Sequence, residues 1–315
     1  MYTFKDSDAK KLEQEAKTLR GLGVEAVFTK NTPLPFSVNG AVMYPDMAQF
    51  HPLKFLYGAA KGLSIAENTL VCHVENGVAY TTGGKIRARH IVVATHFPFI
   101  DRRGLYFMKL YQKRSFVVAL ENAPDLGATF VDTAESGIYM RNYKDLLILG
   151  GGDHRTGKKG GGFEIVRAAA RRWFPNAREK YAWAAQDCMS LDGVPYIGAY
   201  SPATPDIYVA TGFNEWGITS AMVASNILAD RITGRANEYA EAFSPRRSML
   251  RAQLFKNLGA TLSDFVIPTI KRCPHLGCAL KWNKDERTWD CPCHGSRFTE
   301  QGELINGPAT RNARV

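Results

Sequence analysis

Apolar residues recur at helical spacing at Leu12, Ala16 and Leu19, within a stretch that is otherwise charged or polar. This pattern predicts an amphipathic helix capped by Ser7 and closed at Gly21 or Gly23. A second helix is expected from Pro52, with His51 at its cap and Leu53, Leu56 and Tyr57 turned inward. The period then drops to two. Residues 70–74 and 78–82 alternate around the turn Glu75-Asn76-Gly77, residues 85–89 follow, and 91–95 are apolar throughout. That is the pattern of a β-meander leading into a buried strand. Further strands are expected at 116–120, 138–141, 146–149 and 207–210, and helices at 163–174 and 219–232, the last closed near Gly234. Residues 244–270 read as a linker with one amphipathic helix. The mixture predicts an α+β or α/β fold and excludes an all-helical bundle or a sandwich.

At 315 residues, 45% hydrophobic and 22% charged, the composition is that of an ordinary globular chain. No apolar run reaches the roughly 18 residues of a spanning helix. The first twenty residues lack an apolar signal region, so the expectation is a cytoplasmic protein. The net charge is +10, with much of the excess between Arg246 and Arg314. Such a surface can steer an acidic electron-transfer partner. No aromatic-basic platform accompanies it, so nucleic-acid binding is not expected. Of six cysteines, Cys72 and Cys188 stand alone in apolar segments and are expected as buried free thiols.

The other four cysteines lie in two short boxes, Cys273-Pro274-His275-Leu276-Gly277-Cys278 and Cys291-Pro292-Cys293-His294-Gly295-Ser296. Cys273, His275, Cys291 and His294 could bind one zinc, or a [2Fe–2S] cluster with one iron on thiolates and the other on imidazoles. A zinc finger usually draws its cysteines from one box and its histidines from the other. Here each box has one of each, so each loop can give its Cys to one iron and its His to the other. Cys278 and Cys293 are left over, are expected in matching places of the two boxes, and suit a disulfide tying the loops together. The pair of boxes resembles the Rieske iron–sulfur family.

Upstream, three stretches go together: Ile65–Val71 with the meander and Val92–His96, then Asp192-Gly193-Val194-Pro195-Tyr196-Ile197-Gly198, then 208–219. In the last, a buried strand ends in a Gly-rich turn that opens a helix. Free N–H groups and the positive end of the dipole there can hold an electron-rich ring edge or a phosphate. The set resembles the FAD-dependent D-amino-acid oxidase/glycine oxidase family over about residues 26–242. The resemblance implies that Gly212, Trp216, Gly217, Ile218 and Thr219 face the flavin ring. It places Val71 at the adenine side and Ala94 and Thr95 near the dinucleotide. It also implies Arg141 as a clamp for a substrate carboxylate, although Asn142 stands where a proline often follows. His154 and Arg155 lie in the same substrate-side region, and His154 is a second candidate contact. No catalytic acid or base is assigned, because a flavin accepts the hydride itself.

Two departures qualify the resemblance. The fingerprint G-x-G-x-x-G is missing, and Gly150-Gly151-Gly152 does not replace it, since Arg155 occupies its sixth position. Met1 therefore reads as lying inside a longer or divergent protein, with an incomplete pyrophosphate site. The Rieske portion is also short, so part of its supporting shell is expected from the flavin-like body. The expected organisation is a flavin-type domain at 1–243, N-terminally incomplete, a linker at 244–270, and a small β-rich Rieske segment at 271–315. The function expected is an FAD-dependent oxidoreductase acting on a small amine or amino-acid-like molecule and passing single electrons through the cluster. A non-enzymatic Rieske-type carrier and a zinc-binding module are the alternatives.

Overall fold

The computed structural model describes residues 1–100 and 103–315. The chain forms two compact units that do not follow chain order. The first comprises Met1–Asn68, Phe116–Asp153 and Gly161–Ala184; the second comprises Thr69–Ser115, His154–Gly160 and Ala185–Val315.

In the first unit, helix Asp6–Gly21 buries Leu12 and Ala16 against Ala26 and Val42. These line an antiparallel sheet of Tyr2–Thr3, Gly40–Met43 and Val27–Thr29. Ser7 is not the cap. The helix starts at Asp6 with Lys5 at the N-cap, and Asp6 and Asp8 place negative charge at the positive end of its dipole. Helix Pro52–Ala60 is capped as expected, the His51 ring accepting from the Lys54 N–H at 3.4 Å. Its Leu53, Leu56 and Tyr57 are exposed, however, because no described element packs on that face.

A five-stranded sheet has the order Arg178–Ser190, Leu110–Glu121, Leu146–Arg155, Tyr139–Tyr143, Phe130–Val131. Helix Phe163–Trp173 contributes Val166 and Ala170 to the core that this sheet builds with Phe116, Val118, Leu147 and Leu149. Strand Leu146–Arg155 runs straight through the triple glycine. A Cβ on Gly150 would stand 2.0 Å from the ring of its cross-strand partner Tyr139, so only glycine fits beneath that ring.

The second unit carries the meander Val71–Glu75, Val78–Thr81, Gly84–Arg87, as the alternation predicted. Cys72 is exposed on it, correcting the expectation of burial. An apolar neighbourhood in sequence does not decide which face of a strand a side chain takes. Strand Thr204–Thr211 pairs antiparallel with Tyr196–Ser201 and parallel with Ile91–Val93. Helix Gly217–Ile232 packs Ala224, Ile227 and Leu228 on Ile197, Tyr208 and Ala210 of that sheet. Helix Ala252–Phe265 then leads to a four-stranded sheet of Lys281–Asn283, Thr288–Asp290, Arg297–Phe298 and Leu304–Asn306. The core of this last part is little more than Leu280, Phe298, Ala309, Ala313 and four cysteines. So small a core needs a covalent or metal staple.

Asp192 opens the Asp-Gly-Val-Pro turn and takes a two-pronged ion pair from Arg247, 2.8 Å on each arm. Arg247 also donates to the carbonyls of Val194 and Pro195, so it fastens the turn to the chain leaving the helix. The Arg247 hydrogen bonds hold the Asp192 carboxyl below the usual carboxylate range. The stability this pair gives is therefore complete above that range and is lost as pH falls through the lowered value. Asp192→Asn should lower the melting temperature at pH 7 and flatten its acid dependence below about pH 5. Equal acid sensitivity in both proteins would exclude the pair as a source of it.

Candidate functional site

The two boxes fold into the same frame. In the first, the Cys273 N–H donates to Cys278 O and the Gly277 N–H to Cys273 O, each at 2.9 Å. In the second, the Cys291 N–H donates to Ser296 O at 2.8 Å and the Gly295 N–H to Cys291 O at 2.9 Å. Gly277 and Gly295 take φ of 84° and 79°, which other residues rarely adopt. In this frame Cys278 corresponds to Ser296 and Cys293 to His275, so the leftover cysteines do not occupy matching places. They are nevertheless joined in a disulfide, with Cα atoms 6.5 Å apart. Three sulfurs, of Cys278, Cys291 and Cys293, crowd together. Two of them are in that disulfide, so this trio is not a ligand set.

Cys273, Cys291 and His294 are all but fully buried, while His275 is half-exposed. The two imidazoles meet edge-on with centroids 4.9 Å apart. Cys273 and Cys291 hydrogen-bond to one another. That contact lowers the Cys273 thiol to about 7 and pushes Cys291 well up. One thiolate forms readily here, and the second wants a cation in place of the shared proton. The Nε2 of His294 lies 3.1 Å from the Phe107 carbonyl, so it carries the ring proton. Its Nδ1 is then a bare acceptor, buried with no hydrogen-bond partner. Burial lowers the His294 pKa to about 3, keeping the imidazole neutral, as a metal ligand must be. Two thiols in contact beside an unsatisfied buried imidazole nitrogen fit a metal cluster.

The second loop is held from outside by long side chains. Arg155 donates to Pro292 O and Cys293 O at 3.3 and 3.4 Å, Gln112 to His294 O at 3.2 Å, and Gln186 to Gly295 O at 2.9 Å. Four consecutive carbonyls, of residues 292 to 295, are thus satisfied. Arg155 stands 5.2 Å over the Tyr111 ring and also binds Asn257. It supports the second box, in contrast to the substrate-side placement expected of it. Arg114 pairs with Glu286, which Arg297 also reaches at 3.0 Å, and Arg297 binds Asp290 at 3.1 Å. Arg247, Arg272 and Arg297, all from the late basic set, therefore serve internal contacts.

In the same compact unit, a cavity of about 170 Å³ is lined by Ala94, His96, Cys188, Thr211, Gly212 and their neighbours Ala210 and Phe213. It sits where the parallel strands Ile91–Val93 and Thr204–Thr211 end, ahead of helix Gly217–Ile232. Gly212 needs its φ of 69°, and a Cβ there would press on Leu110 and Ser190. Gly217 opens the helix and faces open space. The small residues Ala94, Ala210 and Gly212 leave room for a flat ring against the main chain, with the helix N-terminus beyond it.

A family model of FAD dependent oxidoreductases matches residues 1–231. The chain belongs to that family. A Rieske [2Fe-2S] domain model matches residues 263–315. This oxidoreductase is 30% identical over 370 aligned residues to the putative Rieske 2Fe-2S iron-sulfur protein YhfW of Bacillus subtilis (strain 168), covering 99% of this chain and 73% of that one. Its C-terminal part is 47% identical over 49 residues to the chloroplastic cytochrome b6-f complex iron-sulfur subunit of Arabidopsis thaliana, 16% of this chain and 20% of that one. In fold it resembles glycine oxidase from Geobacillus kaustophilus, with a TM-score of 0.63 at 21% identity, covering 79% of this chain and 74% of that one. It also resembles L-proline dehydrogenase from P. horikoshii, with a TM-score of 0.63 at 18% identity, covering 78% and 75%. Its cofactors are FAD and a [2Fe–2S] cluster.

The residues expected at the flavin of this oxidoreductase divide. Ala94 and Gly212 line the cavity, whereas Trp216, Gly217, Ile218 and Thr219 form the exposed start of the helix. Val71 lies on the meander, and Thr95 donates to the Phe97 carbonyl at 3.1 Å. Arg141 is in the first unit, donating to Gln49 at 3.2 Å. His154, next to last in strand Leu146–Arg155, falls in the second unit. Neither lines the cavity. Sequence reading overlooked Gln112 and Gln186, whose polar character within strands was the signal available.

Proposed function

We propose that this oxidoreductase removes two electrons from an amine or amino-acid-like molecule at a C–N or C–H bond and delivers them singly through its Rieske domain. Bound FAD would accept the hydride, and the bound cluster would carry one electron at a time. Cys273 and Cys291 would hold one iron, and His275 and His294, through Nδ1, the other. Ala94, Gly212 and the start of helix Gly217–Ile232 would hold the ring. One observation carries this reading: the cavity and the two boxes stand in one compact unit. A cytoplasmic setting is part of the proposal, with burial protecting the Cys278–Cys293 bridge. So is an acidic redox partner, drawn to a chain of net charge +10.

The test is anaerobic. Holoprotein is mixed with a panel of amines and amino acids, flavin bleaching is followed optically, and the reduced cluster is followed by electron paramagnetic resonance. Bleaching followed by the cluster signal is expected. Bleaching with a permanently oxidised cluster would overturn the coupling, and no bleaching with any member of the panel would overturn the substrate class.

Ser296 has no exposed surface. Its hydroxyl accepts from the Ala309 N–H at 3.0 Å and hydrogen-bonds Cys273. A hydrogen bond to a cluster sulfur disperses negative charge and favours the reduced state. Ser296→Ala should therefore lower the cluster potential in a redox titration, and an unchanged potential would reject that role.

A further inference from the structure

The cavity and the cluster loop are joined by one side chain. His96 lines the cavity, and its Nε2 is 3.0 Å from Gln112 Oε1. The other end of the same amide donates to the His294 carbonyl at 3.2 Å. His294 is the buried imidazole with the bare Nδ1. Gln112 is itself only 2% exposed and is wedged against the loop: a Cβ on Gly295 would stand 2.7 Å from its Cγ. His96 takes a positive φ of 63°, and its carbonyl accepts from the Thr211 hydroxyl at 2.5 Å. A non-glycine residue held in that region marks a position the surroundings over-determine. A second contact between the same segments runs through Phe97, whose ring centroid lies 5.7 Å from that of His294.

We propose that Gln112 is the positioning residue for electron transfer between the cavity and the cluster, fixing His294 against His96 and supplying a hydrogen-bonded route between them. The inference rests on the flavin-to-cluster reading above. With both groups bound, each transfer would move one electron from the reduced flavin to the oxidised cluster. An external one-electron acceptor would then reoxidise the cluster, the second electron would follow, and the protons left by the flavin would go to solvent. A bonded route carries an electron better than a gap of equal length. The amide is suited to the task because it accepts at one end and donates at the other.

The experiment needs no substrate. In anaerobic holoprotein the flavin is reduced by a light flash with a sacrificial donor, and the appearance of the reduced cluster is timed optically with no other acceptor present. Gln112→Met keeps the volume and removes both hydrogen bonds. Gln112→Glu keeps the acceptor for His96 and loses the donor to His294. Both should slow flavin-to-cluster transfer by about ten- to a hundredfold, the scale on which a small misplacement acts. Rates are compared per intact cluster, counted by iron and sulfide, and direct cluster reduction by dithionite should keep its wild-type rate. His96→Phe, which cuts the route from the other end, should slow the same step.

Transfer at the wild-type rate in any of these variants with an intact cluster would overturn the proposal. A slow step in Phe97→Leu alone would instead assign the route to the aromatic ring. Absence of transfer in the wild type would overturn the coupling reading itself, a separate outcome.

Discussion

Cys291→Ser should leave the protein without its cluster, with iron and sulfide at background and the visible iron–sulfur bands gone. Cys291 has no exposed surface, and its sulfur hydrogen-bonds that of Cys273. A serine hydroxyl in that apolar site would not ionise to replace a thiolate. The surrounding core is too small to compensate, being built from Leu280, Phe298 and two alanines around the cysteines. Cluster binding is therefore also folding energy for this part of the chain. The variant should show loosened packing there, read as faster amide exchange in residues 271–315. Cys72→Ser is the matched control, since Cys72 is exposed on the meander, and it should keep full iron and sulfide. Two irons and two sulfides retained in Cys291→Ser would remove Cys291 from the ligand set.

The two boxes were legible because their geometry is local. Each closes on itself within six residues, and its glycine sits where the turn demands a positive φ. The meander and the helix after Gly212 were legible for the same reason. What holds the loops was not. Gln112, Arg155 and Gln186 reach carbonyls 182, 137 and 109 residues away, and no periodicity encodes such pairs. Strand Arg178–Ser190 escaped prediction because its first six residues are exposed and carry no alternating pattern. Leu53, Leu56 and Tyr57 show the converse error. Helical spacing gives the apolar face, but an inward direction needs an element to pack on, which the described residues do not supply.

The Arg114–Glu286 pair holds the C-terminal sheet from outside. Arg114 lies on strand Leu110–Glu121, and Glu286 is in the turn between strands Lys281–Asn283 and Thr288–Asp290. The Arg114 side chain is 4% exposed and that of Glu286 16%. Burial opposes the Glu286 charge, and its hydrogen bonds from Arg114 and Arg297 outweigh burial and hold its pKa low. Removing one member of a buried pair typically costs about 3–5 kcal/mol, because a desolvated charge is left behind. Here Arg297 stays at 3.0 Å, so Arg114→Ala belongs at the low end, about 3 kcal/mol. The guanidinium midpoint for bleaching of the cluster should fall accordingly. Arg114→Met combined with Glu286→Leu should recover most of the loss, because Arg297 keeps Asp290 at 3.1 Å and no charge is orphaned. A single variant that loses less than about 1 kcal/mol would place this pair with ordinary surface ion pairs. A double variant no better than the single would locate the cost in lost packing and not in the stranded charge.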